Sequence, residues 1–227
     1  MLNEYKKKIL CIILARKSSK RIKKKNIKII KKKPLIYWSL KFAKLNFKTS
    51  NILVSSDDEK VLNIAKKLKI QNIIRRPKIY CNSKSKSVDA VLHALKKINK
   101  KKNIFESILL LQPTSPFRKN KTLNKIIKIF FKNNFKSIVT VSKDIRNNKN
   151  LFYLDNKKKF SKKTKKLKVR IDGNLYLAKI SFIKKMRNFY GYKTNTYLNK
   201  SKLESLDIDI NDDWKILEKN KKFLGFY

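Results

Sequence analysis

The sequence predicts an α/β protein with a mostly parallel central sheet and helices on both faces. Short apolar runs alternate along the chain with amphipathic helical patterns, which is how strands and crossover helices read in a doubly wound sheet. The first run, Ile9 to Ala15, opens directly into the cationic stretch Arg16 to Ile22 and then Lys25-Asn26, as a strand does where such sheets bind ligands. A chain of 227 residues can bury one sizeable core, so a single domain over 1–227 is expected.

After the first strand and its loop, Pro34 can open a helix whose apolar face is Leu35, Trp38, Phe42 and Leu45. Ile52 to Ser55 reads as a strand. Asp57 and Asp58 cap the next helix, which carries Val61, Leu62, Ile64, Ala65 and Leu68. A further helix is expected from about Ser87 to Ile98, and Ile108 to Leu111 is a buried strand stopped by Gln112-Pro113-Thr114-Ser115-Pro116, since two prolines forbid both helix and ladder. A helix then runs through Ile126, Ile127, Phe130 and Phe131, followed by the strand Ser137 to Val141. Between about Lys143 and Lys168 the composition turns to Lys, Asn and Ser, which marks a loop or short hairpin arm. Strands are expected again at Asn174 to Ile180 and Leu203 to Ile210, with a closing helix from Asp212 to Phe223.

The charge is extreme, with 61 Lys and Arg against 15 Asp and Glu and a formal +46 at pH 7. Only eight of the 61 are Arg, and the Lys is spread over nearly every segment together with Asn and Ile. Specific readers of bases and phosphates rely on Arg forks, so this coat argues for salt-sensitive attraction to polyanions and against a specific nucleic-acid partner. Two cysteines, Cys11 in the first strand and Cys81 in a loop, make no disulfide framework and fit free thiols in a reducing cytoplasm. The apolar run after Lys6-Lys7-Lys8 ends in Arg16 and Lys17 without a small-residue cleavage site, so it does not read as a signal peptide. No stretch approaches the length of a membrane span.

Three constellations carry chemistry. Arg16 to Arg21 with Lys25 and Asn26 places cationic heads and a Ser hydroxyl on a strand-to-loop turn, which suits a triphosphate whose charge must be neutralised before a nucleophile approaches. Gln112 to Arg118 forms a rigid turn at the carboxyl end of a central strand. In Leu206-Asp207-Ile208-Asp209-Ile210 the alternation of a strand puts Asp207 and Asp209 on one face and the apolar residues on the other. Such a pair fits magnesium bound through carboxylates and substrate phosphates, or a solvated face answered by nearby Lys. His93, beside Val91, Leu92 and Leu95, has no partner that suggests a triad or metal site and reads as structural; Cys11, Trp38 and Trp214 read as core.

In this order and spacing the three segments resemble the acylneuraminate cytidylyltransferase family, the CMP-sialic acid synthetases, whose pattern is ARxxSKxxxxKN, LLQPTSPxR and SIDIDT. The similarity extends to Val54-Ser55-Ser56-Asp57-Asp58, Arg76-Pro77 and the helix start at Ser87, nearly the whole chain. It implies a Rossmann-like nucleotidyltransferase fold and transfer of CMP from CTP to the anomeric hydroxyl of a nonulosonic acid, with pyrophosphate leaving and Mg2+ assisting. It also implies a triphosphate site of Arg16, Ser19, Lys20, Lys25 and Asn26, and cytidine recognition by Arg76 and Ser87. The sugar would meet Gln112, Arg170, Tyr176, Phe189 and Tyr190, and Asp207 and Asp209 would hold the metal; Arg16, Lys20, Lys25 and Asp209 would act on the reacting groups.

The sequence departs from the family at several points. Lys17 and Ser18 stand where two glycines are frequent, Arg21 where Gly is frequent and Lys23 where Pro is usual. Asp172 replaces the Asn of an NGA motif and Asn174 its Ala, and residues 82–86 replace an acidic, Thr-containing stretch. The arm is shorter than the dimerisation segment of relatives, and a family Arg appears there as Lys162, which weakens the case for a homodimer. Two further readings stay open: the same reaction on legionaminic or pseudaminic acid, and an inactive, basic nucleic-acid-binding protein on the same fold. Joint retention of Arg16, Lys20, Gln112, Asp207 and Asp209 favours the enzyme.

Overall fold

A computed structural model describes residues 1–82, 85–98, 105–143, 151–161, 167–192 and 194–226. The helices are α1 (Leu2–Lys7), α2 (Leu35–Asn46), α3 (Glu59–Lys67), α4 (Ser87–Lys97), α5 (Asn120–Lys132), α6 (Ile180–Met186) and α7 (Asn211–Lys219). The strands are β1 (Ile9–Ala15), β2 (Ile29–Ile30), β3 (Lys33–Pro34), β4 (Ile52–Ser56), β5 (Asn72–Arg75), β6 (Ser107–Leu111), β7 (Ser137–Ser142), β8 (Leu151–Leu154), β9 (Phe160–Ser161), β10 (Leu167–Lys179) and β11 (Asn195–Leu198).

The main sheet runs β11-β7-β10-β6-β1-β4-β5. Its pairs β1/β4, β1/β6, β4/β5 and β7/β11 are parallel, and β10 lies antiparallel between β6 and β7. The sheet is therefore mostly parallel, as expected. Because alternate side chains of a strand leave on opposite faces, Ile9, Cys11 and Ile13 of β1 join the layer under α2, α3 and α5, where Phe42 and Phe130 are fully buried. Leu10 and Ile12 join the opposite layer with Val91 of α4 and Ile183 of α6. Trp38 and Trp214 pack with Leu217 and Ile208 in a third cluster.

Several expectations needed correction. Leu45 is 59% exposed, because the chain leaves α2 at Asn46 and Phe47 takes the buried place instead. Asp58 alone caps α3, accepting from the Lys60 N–H at 3.0 Å, while Asp57 accepts from the Lys17 N–H at 2.7 Å. Residues 203–210 form a turn and an extended segment that is not a strand; its backbone reaches the rest of the sheet side through Ile208 N–H to the Thr114 carbonyl, 2.8 Å. The closing helix stops at Lys219, and Phe223 belongs to a 3-10 turn. The strand expected from Asn174 begins at Leu167 and breaks register between Ile171 and Tyr176, at Gly173. Helices α1 and α6 and strands β2, β3, β5 and β11 were not anticipated.

Within 143–168, β8 and β9 form a hairpin on β10; residues 144–150 and 162–166, with Lys162, lie outside the described set. Phe160 N–H donates to the Thr194 carbonyl and Thr196 N–H to that of Lys158, so the hairpin folds back over the outer edge of β11. That edge is consequently covered over this stretch.

Candidate active site

A cavity of about 390 Å³ opens at the carboxyl ends of β1 and β6. Its wall brings together Arg16, Ser19, Lys20, Arg21, Lys25 and Asn26 from the β1 loop, Gln112 to Thr114 from the β6 turn, Tyr176 and Ile171 from β10, and Asp207 and Asp209. A larger cavity of about 730 Å³ lies between α5 and β11, lined by scattered lysines around Tyr197, and none of the three constellations reaches it. Convergent polar chemistry makes the smaller one the candidate site.

The β1 loop is held by side chains. Lys17 N–H is fixed by Asp57, Ser18 Oγ donates to the Cys81 carbonyl at 3.3 Å, Arg16 Nη1 to that of Asn82 at 3.1 Å, and Asn26 Nδ2 to that of Arg16 at 2.9 Å. Lys17 and Ser18 both keep negative φ, so the loop does not require the two glycines that relatives often carry there.

Lys25 reaches across the mouth. Its Nζ donates to the Ile208 carbonyl at 2.5 Å and pairs with Asp209 Oδ1 at 3.3 Å, while Arg21 Nη2 stands 3.0 Å from Asp209 Oδ2. Asp213 fixes the backbone of this segment by accepting from the N–H groups of Asp209 and Ile210. The alternation read from sequence survives without a ladder: Leu206 and Ile208 are buried, and the two carboxylates face the cavity.

Burial pushes Asp207 up to about 6, with the charge of Asp209 adding to the rise, while the Thr114 hydroxyl, Lys25 and Arg170 oppose it. Its Oδ1 is buried without a hydrogen-bond partner among the described residues, an acceptor of the kind a hard cation takes. No group of three or more His, Cys, Asp or Glu gathers among the described residues, so such a cation would complete its shell from phosphate oxygens and water. On those terms the donor set fits magnesium.

Five residues placed at the site by resemblance do not line the cavity. Arg76 is buried one strand beyond β4, its Nε on Ser55 Oγ at 3.2 Å and its Nη2 on the Ser55 carbonyl at 2.6 Å. Ser87 is exposed at the first turn of α4. Phe189 and Tyr190 form an aromatic layer against Tyr176, with ring centroids 6.0 and 6.4 Å away. Arg170 donates to the Ser205 carbonyl at 3.1 Å, close enough to steady the charge of Asp207 and Asp172. Asp172 itself points away from the cavity into the sheet, where its carboxylate accepts from Thr140 Oγ1 and the Asn174 N–H.

Gly173 was missed as a site residue. Its φ is +77°, and a Cβ there would stand 2.9 Å from Ser115 Oγ, 3.0 Å from Gln112 Oε1 and 3.4 Å from Asp207 Cγ. One of only three glycines in the chain, placed inside an apolar strand pattern, was the available signal. His93 packs on Tyr80 away from the site, and Cys11 is core; burial drives its thiol upward and leaves it inert.

A parallel sheet carrying a cationic loop after its first strand, with paired carboxylates opposite, defines a nucleotidyltransferase. The fold is shared with solved structures: CMP:2-keto-3-deoxy-manno-octonic acid synthetase complexed with CTP superposes with a TM-score of 0.71 at 11% identity, covering 95% of this chain and 98% of that one. A glucose-1-phosphate thymidylyltransferase from Bacillus anthracis, so described provisionally, gives 0.68 at 11% identity over 94% and 95%. The chain belongs to the cytidylyltransferase family, which it matches over residues 10–224, and is a CTP-dependent nucleotidyltransferase. It is 30% identical to the CMP-N,N'-diacetyllegionaminic acid synthase of Legionella pneumophila over 93% of this chain and 95% of that protein. With the N-acylneuraminate cytidylyltransferase of Escherichia coli it shares 25% identity over 97% of its own length and 55% of the relative's.

Proposed function

We propose that this chain transfers CMP from CTP to the anomeric hydroxyl of a nonulosonic, sialic-type acid, releasing pyrophosphate, in the synthesis of surface glycans. The observation that carries this reading is the meeting of the β1 loop, Gln112 and the carboxylate pair in one cavity. The sugar oxygen attacks the α-phosphorus as the bond to the β-phosphate oxygen breaks, so the site must position two anions and absorb charge on the leaving pyrophosphate. Arg16, Ser19, Lys20 and Asn26 hold the triphosphate, and Lys25 bridges it to Asp209. Gln112 and Tyr176 orient the sugar, with Phe189, Tyr190 and Arg170 supporting that wall from behind. Arg76 and Ser87, on the β4–β5 side, are assigned to the cytidine. Asp207 and Asp209 would hold Mg2+, which when bound supplies Lewis-acid neutralisation of phosphate charge.

Among nonulosonic acids, the Legionella relative matched end to end favours legionaminic acid as a second reading beside sialic acid; pseudaminic acid is the third, from the Campylobacter jejuni cytidylyltransferase that is 30% identical over 65% of this chain. A cytoplasmic location, which rests on the free thiols of Cys11 and Cys81, and a homodimer, which rests on the family resemblance, belong to the same proposal; among the described residues no helix is long and apolar enough to cross a membrane. The gathering of Arg16, Lys20, Gln112, Asp207 and Asp209 speaks against the inactive nucleic-acid binder. Pyrophosphate release from CTP with a panel of sugar acids tests the proposal.

A further inference from the structure

Arg118 ends the β6 turn and takes no part in the chemistry outlined above, yet it is 2% exposed. Its Nε donates to the Asn174 carbonyl at 3.1 Å, Nη1 to Ser39 Oγ at 2.9 Å and Nη2 to the Gln112 carbonyl at 2.7 Å, with the guanidinium carbon 5.9 Å from the centre of the Phe42 ring. Ser39 Oγ in turn donates to the Gln112 carbonyl at 3.4 Å. A guanidinium this deep is costly to desolvate and gives little net stability over an apolar residue of its size. What its rigid planar fork supplies is geometry, because three separate elements are pinned to one plane.

The two carbonyls it holds flank a close approach in the sugar wall, between the Gly173 turn and the Gln112 side chain. Gln112 follows β6, Asn174 follows Gly173 in β10, and the space where a Cβ on Gly173 would stand is 3.0 Å from Gln112 Oε1. Both backbones must be fixed for that side chain to keep its place. We propose that Arg118 is a positioning residue that sets the Gln112 side chain against the Gly173 turn and so orients the sugar acid; the kinetic part rests on the sugar role given to Gln112 above.

The chain has two glutamines, Gln71 and Gln112, so protein labelled with 15N at glutamine side chains gives one signal pair from the site and one internal control. In Arg118→Lys the Gln112 amide pair is expected to shift or broaden while that of Gln71 stays. Sugar KM should rise by roughly tenfold or more, as misplaced orienting groups do, with CTP KM nearly unchanged. On a Gln112→Ala background the same substitution should add nothing further to sugar KM, although its effect on thermal unfolding persists. Should Arg118→Lys not fold, Ser39→Ala removes a side-chain acceptor of its Nη1 and must shift the same signals. Unchanged Gln112 signals, or effects of Arg118→Lys and Gln112→Ala on sugar KM that multiply independently, would overturn the proposal. If Gln112→Ala alone leaves sugar KM unchanged, the sugar role of Gln112 falls and the spectra decide the positioning role by themselves.

Discussion

Lys25 and Asp209 are joined across the mouth of the cavity: the ammonium that lies 3.3 Å from Asp209 Oδ1 also donates to the carbonyl of Ile208, so one lysine fastens the β1 loop to the carboxylate segment. Arg21 takes the other oxygen of Asp209. Asp207, two residues away, receives a hydroxyl and keeps one oxygen unpartnered among the described residues. The two carboxylates are thus unequal, one paired with cations and one buried, its carboxyl raised to about 6.

Replacing Asp209 by Asn should lower activity and weaken its magnesium dependence together. Two adjacent carboxylates taken alone suggest that the substitution relieves repulsion and raises stability. The pairs to Arg21 and Lys25 reverse that expectation; the half-exposed Arg21 pair alone contributes about 0.2–1 kcal/mol, so a small loss is predicted. Activity against magnesium concentration and thermal unfolding in chelator check both points; a wild-type magnesium response would refute the metal role.

Asp172 should carry a visible pH signature. Burial raises its carboxyl to about 6 from 3.8, against the opposing bonds from Thr140 and Asn174. A carboxyl raised on folding stabilises the native state fully below its unfolded value and loses that contribution as pH climbs through the folded one. Asp172→Asn should therefore match wild type near pH 4 and exceed it at pH 7 by up to about 3 kcal/mol. Unfolding midpoints of the two proteins across this range test it, and a constant difference at all pH values would contradict it.

Gly173→Ala should damage both stability and sugar binding. An L-residue held at φ +77° is strained by roughly 1–2 kcal/mol, and the added methyl meets Ser115 and Gln112. Denaturant midpoints and sugar KM should both worsen, with CTP KM little affected.

Lys20→Ala should reduce turnover by roughly a hundredfold, as removal of a preorganised charge-stabilising donor does. An unchanged turnover number would mean that this stretch of the loop is only solvated lysine.

Strands β1, β4, β6 and β7 were legible as short apolar runs because both faces of a parallel sheet are buried, and the cationic-loop, Gln112 and carboxylate motifs were legible as local strings. Strand β11 was not, since its partly exposed Asn-Thr-Tyr-Leu gains its place only by pairing with β7. The Asp207 segment looked like a strand because alternation survives wherever extended chain lies on a core, with or without a ladder. Arg118 and Gly173 escaped notice as site residues for a different reason. Their roles depend on distances between β6, β10 and α2, which the local signals, a lone glycine in an apolar strand and the arginine that ends the Gln112 turn, do not give.

The most direct measurement is pyrophosphate release by the purified protein with CTP, magnesium and separately supplied sialic, legionaminic and pseudaminic acids, with UTP, ATP and GTP as controls. Turnover with CTP and at least one of these acids, far above that with the other nucleotides, is predicted, because a site built to hydrogen-bond one base leaves its donors unpaired with another. Equal turnover of several nucleotides, or no release with any of the three acids, would contradict the assignment.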